Sequence, residues 1–508
     1  MAITPDNCSS SFPVCELPYY KMVEHVIDVR SVLEDLKLSD CSIYNVPSNL
    51  RKVNREAYTP EMISVGPIHF GKPELKPMQE HKLRYFGFFW NRISNGRAMN
   101  EYKEFLGKEE QRIRQSYARK FPEIKKEQFV EMMLLDSVFI MELFLRSIIC
   151  YWKLGRSTPQ KHSHVTKSFK KKNSDDYIMT QSWVNRNIAR DLILLENQIP
   201  FFLLDWLYNH VVVNERNEEI KNQYNCFVEL AICYFAFYDI QMSSCDETKT
   251  LVERNQSDER NNNLNGSSHG STRKPNKPIN SNLPEHFTDL IRCFYLPHKE
   301  VPYRNGYPFL RTATKLQDSG ITFEKVVNRR LLDITFEKKP ILSSLLCFSC
   351  LPLTEVFKAR FRIPQLRVDY TTECVLRNLI AFEQCHYPEK PYICNYVSLI
   401  DSLIHTKMDA ELLVEKEVIV HELGSDEEVA TLVNGLCRHV VTHTTCYHDV
   451  INDLNKHYQN PWNRTMAALW LVYFRDTWRA SSTVVGIAVL IFAVFNFLRA
   501  LNYFVYGK

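Results

Sequence analysis

The chain has 508 residues, of which 45% are hydrophobic and 24% are charged, a balance that allows a large buried core. Only 14 residues are glycine, which argues against folds that wrap glycine-rich backbone around nucleotide phosphates. The formal net charge of +4 is small for this length and gives no electrostatic case for nucleic-acid binding.

The cysteines and the N-terminus indicate a reducing compartment. The 15 cysteines are odd in number and irregularly spaced, which argues against a full disulfide framework. Residues 1–20 lack the apolar region of a signal peptide, so we expect a cytosolic domain with reduced thiols. Four N-x-[ST] matches would matter only if the chain entered the secretory lumen, at Asn7, Asn255, Asn265 and Asn463.

The hydrophobic pattern predicts a mainly α-helical fold with minor β structure, organised as a single large domain at residues 40–480. A tail at 1–39 contains a short amphipathic helix at 20–38, and a turn-rich segment follows at 44–80. Further helices are predicted at 80–95, 99–120, 126–150, 181–212 and over most of 371–480. Composition indicates a disordered insert at 241–285, and short strands are predicted at Leu331–Phe336 and Gln365–Tyr370.

The C-terminus predicts a membrane-spanning helix at residues 481–505. Ser481 to Leu498 is free of charged residues, and about 20 apolar residues suffice to cross a bilayer. A buried core helix is the alternative. Arg475 and Arg479 precede the apolar run, so the positive charge favours an N-terminal domain on the cytosolic side of a tail-anchored protein. The sequence does not distinguish the plasma membrane from an endomembrane.

Residues Ser64–Pro73, SVGPIHFGKP, fall one residue short of a phosphate-binding loop. Pro73 stands where a hydroxyl should ligate magnesium, and it disfavours the helical conformation that Lys72 would need. Pro67 removes one backbone N–H from the phosphate cradle. No nucleotide site is therefore predicted at residues 66–73. A tight turn is predicted instead, with Gly66 and Gly71 where φ is positive.

Residues Asp191–Phe202, DLILLENQIPFF, place polar residues in an apolar helix that is predicted to continue to Ile199, just before Pro200. Glu196, Asn197 and Gln198 are expected to be buried and to satisfy helix-end carbonyls and loop amides. A catalytic carboxylate is the alternative interpretation.

A similar phrase occurs at Asn378–Gln384, NLIAFEQ, where Glu383 aligns with Glu196. The two phrases could be equivalent helices or a chance similarity. A third acidic pattern, Leu135–Glu142, suggests one buried polar network more than one active site.

Other chemical signals are weak. Cys347 and Cys350 form an isolated CxxC pair. His439 and His443 have the i,i+4 spacing of helical zinc ligands, with Cys446 and His448 nearby, but the HExxH glutamate is absent and no metal or cofactor is predicted. The basic run Lys167–Lys172 fits either a solvated loop or an anionic-lipid contact.

Several ordered phrases resemble the plant family of domain of unknown function 247 (DUF-247, the UPF-0481 proteins). They are Tyr44–Pro47 with Leu50-Arg51, Ala57–Gly71 with the histidine turn Gly66-Pro67-x-His69-x-Gly71, Met78 and Lys82 of the following helix, Asp191–Phe202, Ala313–Phe323, Leu332–Phe336, Arg377–Gln384, Asn434–Leu436 and Tyr473–Trp478. The resemblance covers residues 40–505. It implies one domain with a C-terminal transmembrane segment and no established activity or cofactor. Some members are linked to self-incompatibility in grasses.

The expected function is a membrane-anchored, non-enzymatic recognition protein with protein partners of unknown identity. A hydrolase or transferase that uses Glu196 or Glu383, with His69, is the first alternative. An anionic-lipid sensor that uses Lys167–Lys172 is the second.

Overall fold

The computed structural model describes residues 41–93, 96–153, 176–213, 226–238, 283–297, 301–327, 329–338, 359–473 and 477–506, and every structural statement below concerns these residues. Helices dominate them and strands are a minor part, as predicted. Several predictions fall outside the described residues, namely the helix at 20–38, the Lys167–Lys172 run, the Cys347–Cys350 pair and residues 241–282 of the insert.

The described residues form eighteen α-helices. The first nine are α1 (Ser48–Val53), α2 (Pro77–Ile93), α3 (Gly96–Lys108), α4 (Glu110–Gln115), α5 (Lys126–Lys153), α6 (Tyr177–Thr180), α7 (Ser182–Leu192), α8 (Phe201–Leu207) and α9 (Phe227–Phe235). The other nine are α10 (Phe287–Tyr295), α11 (Ala313–Asp318), α12 (Thr372–His386), α13 (Tyr392–Leu403), α14 (Lys407–Glu415), α15 (Asp426–Leu436), α16 (His448–Gln459), α17 (Pro461–Tyr473) and α18 (Thr477–Tyr506).

Seven short strands form three small sheets in the described residues: β1 (Arg304–Asn305), β2 (Ile321–Val326), β3 (Thr335–Glu337), β4 (Ala359–Pro364), β5 (Leu366–Val368), β6 (Ile419–His421) and β7 (Thr444–Thr445). In the largest, β4 pairs in parallel with β2 and antiparallel with β3. β5 pairs in parallel with β6, and β1 pairs antiparallel with β7.

Helix α5 lies at the centre of the N-terminal half, as its nearly continuous apolar sequence predicts. Phe144 on this helix contacts aromatic rings from two other helices, with centroid distances of 4.2 Å to Tyr234 and 5.6 Å to Phe287. Buried hydrophobic residues from many positions between Ile43 and Leu454 form one cluster that is connected in space. Strands β2, β4, β5 and β6 contribute residues to the same core as the helices.

The turn-rich N-terminal segment, defined here as residues 43–72, contributes buried side chains such as Leu50 and Tyr58 to this core. It contains α1 and a short 3₁₀ turn at Glu56–Tyr58, and Ile43 forms an isolated bridge with Tyr117. Ile63 and Val65 are fully buried although no described strand pairs with their backbone. The buried amides of this segment therefore need side-chain partners.

Three predicted helix and insert boundaries are wrong. The predicted helix at 99–120 is divided into α3 and α4, and the one at 181–212 ends at Leu192 and resumes as α8. Residues 283–285 of the predicted insert belong to the described fold, where the Glu285 carbonyl accepts a hydrogen bond from the Phe201 amide (2.9 Å).

The two predicted strands are shorter than expected. At 331–336 the strand begins only at Thr335, because Asp333 and Ile334 form turn hydrogen bonds to Arg330 and Leu332. At 365–370 the strand ends at Val368, because Asp369 accepts the free amides at the start of α12.

Helix α18 is a candidate membrane span. Residues Ser481–Asn502 form a 22-residue stretch of mean hydropathy 2.4, and none of its most apolar window is buried against the domain. A core helix would be covered by other elements, so this exposure does not fit the alternative of a buried core helix. Length and composition suit a bilayer crossing.

Candidate functional site

The loop between α7 and α8, residues 193–200, presents the side chains that the sequence singled out. Helix α7 ends at Leu192, so the prediction that it continues to Ile199 is wrong. The Gln198 side-chain amide donates to the carbonyls of Leu192 (2.6 Å) and Leu194 (2.7 Å). The Asn197 amide donates to the carbonyl of Asp191 (2.9 Å). The Leu192 carbonyl thus gains a partner at a buried helix end, while the Asp191 and Leu194 carbonyls also accept hydrogen bonds from backbone amides, those of Leu194 (3.4 Å) and Asn197 (2.9 Å) respectively.

The side chains of Asp191 and Asn197 bind the backbone of the N-terminal segment. The Asp191 carboxylate accepts hydrogen bonds from the three successive amides of residues 61–63, at 2.6–3.1 Å. Asn197 accepts from the Val65 amide (2.7 Å) and donates to the Ile63 carbonyl (2.9 Å). These side chains thus replace the partner strand that the buried segment lacks.

Glu196 binds an earlier part of the same segment. Its carboxylate accepts a hydrogen bond from the Val46 amide (2.8 Å) and forms an ion pair with Arg51. Gln198 contributes a further link, because its side-chain oxygen accepts from the Phe287 amide at the start of α10 (2.9 Å). The loop therefore connects the N-terminal segment to α10.

A buried ion pair supports the histidine turn, which follows residues 61–63 in the chain. Asp136 on α5 pairs with Lys82 on α2, and both side chains are almost fully buried. Lys82 also donates to the Ser64 carbonyl, and Asp136 accepts from the Gly66 amide (2.9 Å). Both charges are thus paired and hydrogen-bonded, as buried charges must be.

Gly66 permits the closest approach between the turn and the loop. Its φ is +69°, and a Cβ at this position would lie 2.4 Å from the Gln198 carbonyl oxygen. Tyr117 donates to that same carbonyl (2.9 Å). Gly71 has a φ of +78°, but no atom lies within 4 Å of its virtual Cβ. Both glycines therefore have the positive φ that the turn prediction requires, and only Gly66 is also sterically required.

The two prolines of the motifs lie at local boundaries. The Pro67 carbonyl accepts a hydrogen bond from the Phe70 amide (3.4 Å) inside the turn. Pro200 has an extended conformation directly before α8. Neither proline supplies a functional side chain, and each one restricts the backbone where its direction changes.

His69 lies beside Glu196 without bonding to it. The imidazole is 4% exposed, its Nε2 is 3.7 Å from the Glu196 carboxylate, and neither ring nitrogen has a hydrogen-bond partner among the described residues. Burial lowers the pKa of His69 to about 3, helped by the charges of Lys72 and Arg51. The Glu196 charge does not reverse this shift, because Arg51 already pairs with it. His69 is therefore neutral near pH 7.

The second polar phrase lies within α12 and binds different partners. Asn378 accepts from the Leu195 amide (3.0 Å) and donates to the Ala57 carbonyl (2.7 Å), so it joins the loop to the N-terminal segment. Glu383 instead pairs with Arg292 (2.7 Å) and accepts from the Cys394 amide (3.0 Å).

Gln384 binds both backbone groups of Val441, donating to its carbonyl (2.9 Å) and accepting from its amide (3.2 Å). Glu196 lies in a loop and Glu383 in a helix, so the two phrases are not equivalent helices. Their side chains hold different parts of the chain in place.

The acidic side chains of these phrases are enclosed. Burial raises the pKa of Asp191 to about 6, in opposition to its three backbone donors, and burial also raises the pKa of Glu383. Raised carboxyl pKa values occur in active sites, but catalysis also needs substrate access. A cleft of about 480 Å³ lies near the start of α12, and neither these two carboxyls nor Glu196 line it.

The predicted histidine cluster is arranged differently from a helical metal site. His439 and His443 lie in the connection after α15, where His439 has a φ of +65°, so their predicted i,i+4 helical relation is wrong. His448 begins α16 and Cys446 is buried. Within the described part of the chain, no three His, Cys, Asp or Glu side chains converge as metal ligands.

Sequence reasoning missed the roles of Arg51, Lys82 and Arg292 as partners of the buried carboxylates. Lys82 carried a detectable signal, because it shares the 4-3-4 spacing of Met78, Tyr85 and Phe89 on the buried face of α2. A charge on such a face predicts a buried partner. Glu142, which the sequence already assigned to a buried polar network, pairs with Arg146 (2.7 Å), and Arg146 also binds Asp176 (2.6 Å); sequence reasoning missed these two partners.

The geometry defines a class of protein: a mainly helical domain whose N-terminal segment is held by buried polar side chains, followed by an apolar terminal helix. The chain belongs to the family DUF247, described as plant protein of unknown function, which matches residues 43–492.

Two relatives from Arabidopsis thaliana are similar along nearly the whole chain. The putative UPF0481 protein At3g02645 is 25% identical, and the match covers 92% of each chain. UPF0481 protein At3g47200 is 24% identical over 93% of this chain and 89% of its own. No solved structure matches.

The two glycines of the histidine turn provide a matched pair of substitutions. We expect Gly71→Ala to lower the free energy of unfolding by about 1–2 kcal/mol, the cost of a left-handed alanine. Gly66→Ala should cost about 1–3 kcal/mol more, because its methyl group also overlaps the Gln198 carbonyl. Urea unfolding of both full-length variants in mild detergent measures the difference. Equal losses would contradict the proposed contact.

The burial of the His69 imidazole predicts that the difference in stability between wild type and His69→Gln depends on pH. Because the folded-state pKa of His69 is about 3, below the ordinary 6.5, the folded state disfavours protonation. The stability gained by keeping His69 neutral is complete above pH 6.5 and is lost as the pH falls towards 3. The stability advantage of wild type over His69→Gln should therefore shrink by about 2 kcal/mol between pH 7 and pH 5. Urea unfolding at both pH values tests this, and an advantage independent of pH would show that His69 titrates normally.

Proposed function

We propose that this protein is a non-enzymatic recognition protein, anchored in a membrane by α18 with its domain on the cytosolic side. The carrying observation is the exposed apolar stretch Ser481–Asn502, which follows a large folded domain directly in the chain. A 22-residue helix is about 33 Å long, which matches the hydrocarbon thickness of a bilayer.

The arrangement of the motif residues favours recognition over catalysis. Glu196 and Glu383 are each bound by an arginine and a backbone amide. A general acid or nucleophile must reach a substrate, and these carboxylates are at most 5% exposed. The hydrolase or transferase alternative therefore lacks a specific supporting observation. The anionic-lipid alternative rests on Lys167–Lys172, which lie outside the described residues, and it stays a prediction.

The cytosolic orientation rests on charge and on one glycosylation motif. Arg475 and Arg479 lie on the N-terminal side of the apolar stretch, where the positive-inside tendency favours the cytosol. The Asn463 side-chain amide, part of an N-x-T match, donates to the His457 carbonyl (3.0 Å), so the fold already uses the nitrogen that a glycan would need. Protease digestion of the domain in intact microsomes would support this orientation, and protection of the domain would reverse it.

Paired substitutions test the anchor without truncating the chain. Leu490 and Val494 are exposed, so changing them should leave the domain folded. Leu490→Arg with Val494→Arg adds about 5–7 kcal/mol to the cost of insertion and should release the protein from membranes at alkaline pH. Leu490→Ala with Val494→Ala is the control and should stay in the membrane pellet. Retention of the arginine variant in that pellet would contradict the anchor.

Proximity labelling tests recognition in the same pair of variants. A labelling enzyme fused to the N-terminus should mark a reproducible set of membrane proteins with the alanine variant, and the arginine variant should lose this set. An identical labelled set for both variants would contradict membrane-localised recognition.

A further inference from the structure

Helix α17 directly precedes the apolar terminal helix and exposes an apolar face. Its sequence, PWNRTMAALWLVY, contains one charged residue, Arg464, and no acid. Trp462, Leu469 and Val472 are 62%, 45% and 54% exposed. On a helical wheel these three residues lie within about 80° of one another, so they share one outward-facing side.

The opposite side of α17 fixes the helix to the domain. Asn463 donates to the His457 carbonyl at the end of α16 (3.0 Å). Ala467 lies 3.3 Å from the virtual Cβ of Gly320, whose φ is +87°. The glycine thus allows the close approach of α17 to the turn before β2. The direction of the apolar face is therefore set by the fold of the domain.

A group of stacked arginines and aromatic rings lies beside this helix. The Arg311 guanidinium carbon is 5.0 Å from the Phe309 ring centroid and 5.3 Å from that of Tyr458. Arg464 of α17 is 5.3 Å from the same Tyr458 ring. Phe309 is 66% exposed, and Asn455 of α16 binds its carbonyl (2.7 Å). We call Phe309, Arg311, Trp462, Arg464, Leu469 and Val472 the juxtamembrane patch, in which the exposed Arg464 marks one edge, about 80° from Val472 on the helical wheel.

The geometry points to an anionic bilayer surface as the partner of the juxtamembrane patch, and this inference rests on the proposed anchor. Val472 is five residues before the start of α18, which limits their separation to about 18 Å. Tryptophan is enriched at the membrane interface, phenylalanine and leucine accompany it on the apolar faces of interfacial helices, and the arginines attract anionic headgroups. The acids of neighbouring α16 are already paired, Asp449 with Arg304 and Asp453 with Lys338. Contact at this patch would hold the domain in one orientation on the membrane.

Fluorescence quenching by brominated lipids tests the inference on the full-length protein in vesicles. The vesicles contain phosphatidylcholine with 20% phosphatidylserine, and the bromine atoms lie near the headgroups. Wild type should lose more fluorescence than Trp462→Phe, because Trp462 touches the interface. Trp183, 53% exposed on α7, provides the control, and Trp183→Phe should leave the lipid-quenched signal unchanged.

A second pair of variants tests whether the positive charge of Arg311 and Arg464 draws the patch to the anionic vesicles. Arg311→Gln with Arg464→Gln should reduce the quenching of Trp462 at least twofold in the anionic vesicles. Arg97→Gln with Arg119→Gln makes the same charge change at exposed positions of the N-terminal half and should have no effect. Added salt should weaken the quenching in wild type, since the attraction to headgroups is screened.

The outcomes separate the patch from the anchor. If the anchor proposal fails, alkaline extraction releases wild type from the vesicles. If only the patch proposal fails, the protein stays inserted but wild type and Trp462→Phe are quenched equally. Crosslinked dimers that disappear in Trp462→Phe, without quenching by lipid, would assign the patch to a second copy of the chain and overturn the inference.

Discussion

Side-chain hydrogen bonds to the backbone of residues 61–66 are the interaction on which the rest of this fold depends. This stretch is buried without a partner strand, and Asp191, Asn197 and Asp136 bind its amides instead. A hydrogen bond to a charged group contributes about 1.5–3 kcal/mol, and an unsatisfied buried amide costs about 1–3 kcal/mol. The partners are 70 to 132 residues apart along the chain, so the segment is held by contacts between distant parts of the sequence.

The same constraint explains the composition of the motifs. The turn needs glycine at position 66 because the Gln198 carbonyl occupies the space of a side chain. The loop after α7 needs amides and a carboxylate because it serves helix-end carbonyls on one side and the N-terminal segment on the other. The carboxylates of Glu196 and Glu383, which resemble catalytic residues in the sequence, form hydrogen bonds with backbone amides instead. Exposed apolar side chains are found elsewhere, among other places on α17 and α18.

Local pattern predicted the central helix α5, the terminal helix and the mainly helical class, because long apolar or periodic stretches specify a helix over many residues. It also predicted that the polar residues after α7 would be buried among carbonyls and amides. It misplaced the end of α7, because Gln198 and Asn197 compete for the carbonyls that a longer helix would use. Strands β2 and β4 were missed because their pairing joins segments almost 40 residues apart. The partners Arg51 and Arg292 could not be assigned because periodicity says nothing about distant contacts.

Amide hydrogen exchange of residues 61–63 in Asp191→Asn tests most directly whether buried side chains hold the N-terminal segment. The substitution keeps the shape but places an amide donor among three backbone donors. Exchange at these residues should rise about 10- to 100-fold, corresponding to about 1.4–2.8 kcal/mol, while α13 exchanges as in wild type. Asp318→Asn, at an exposed position on α11, should change neither. Unchanged exchange at residues 61–63 in Asp191→Asn would contradict the account.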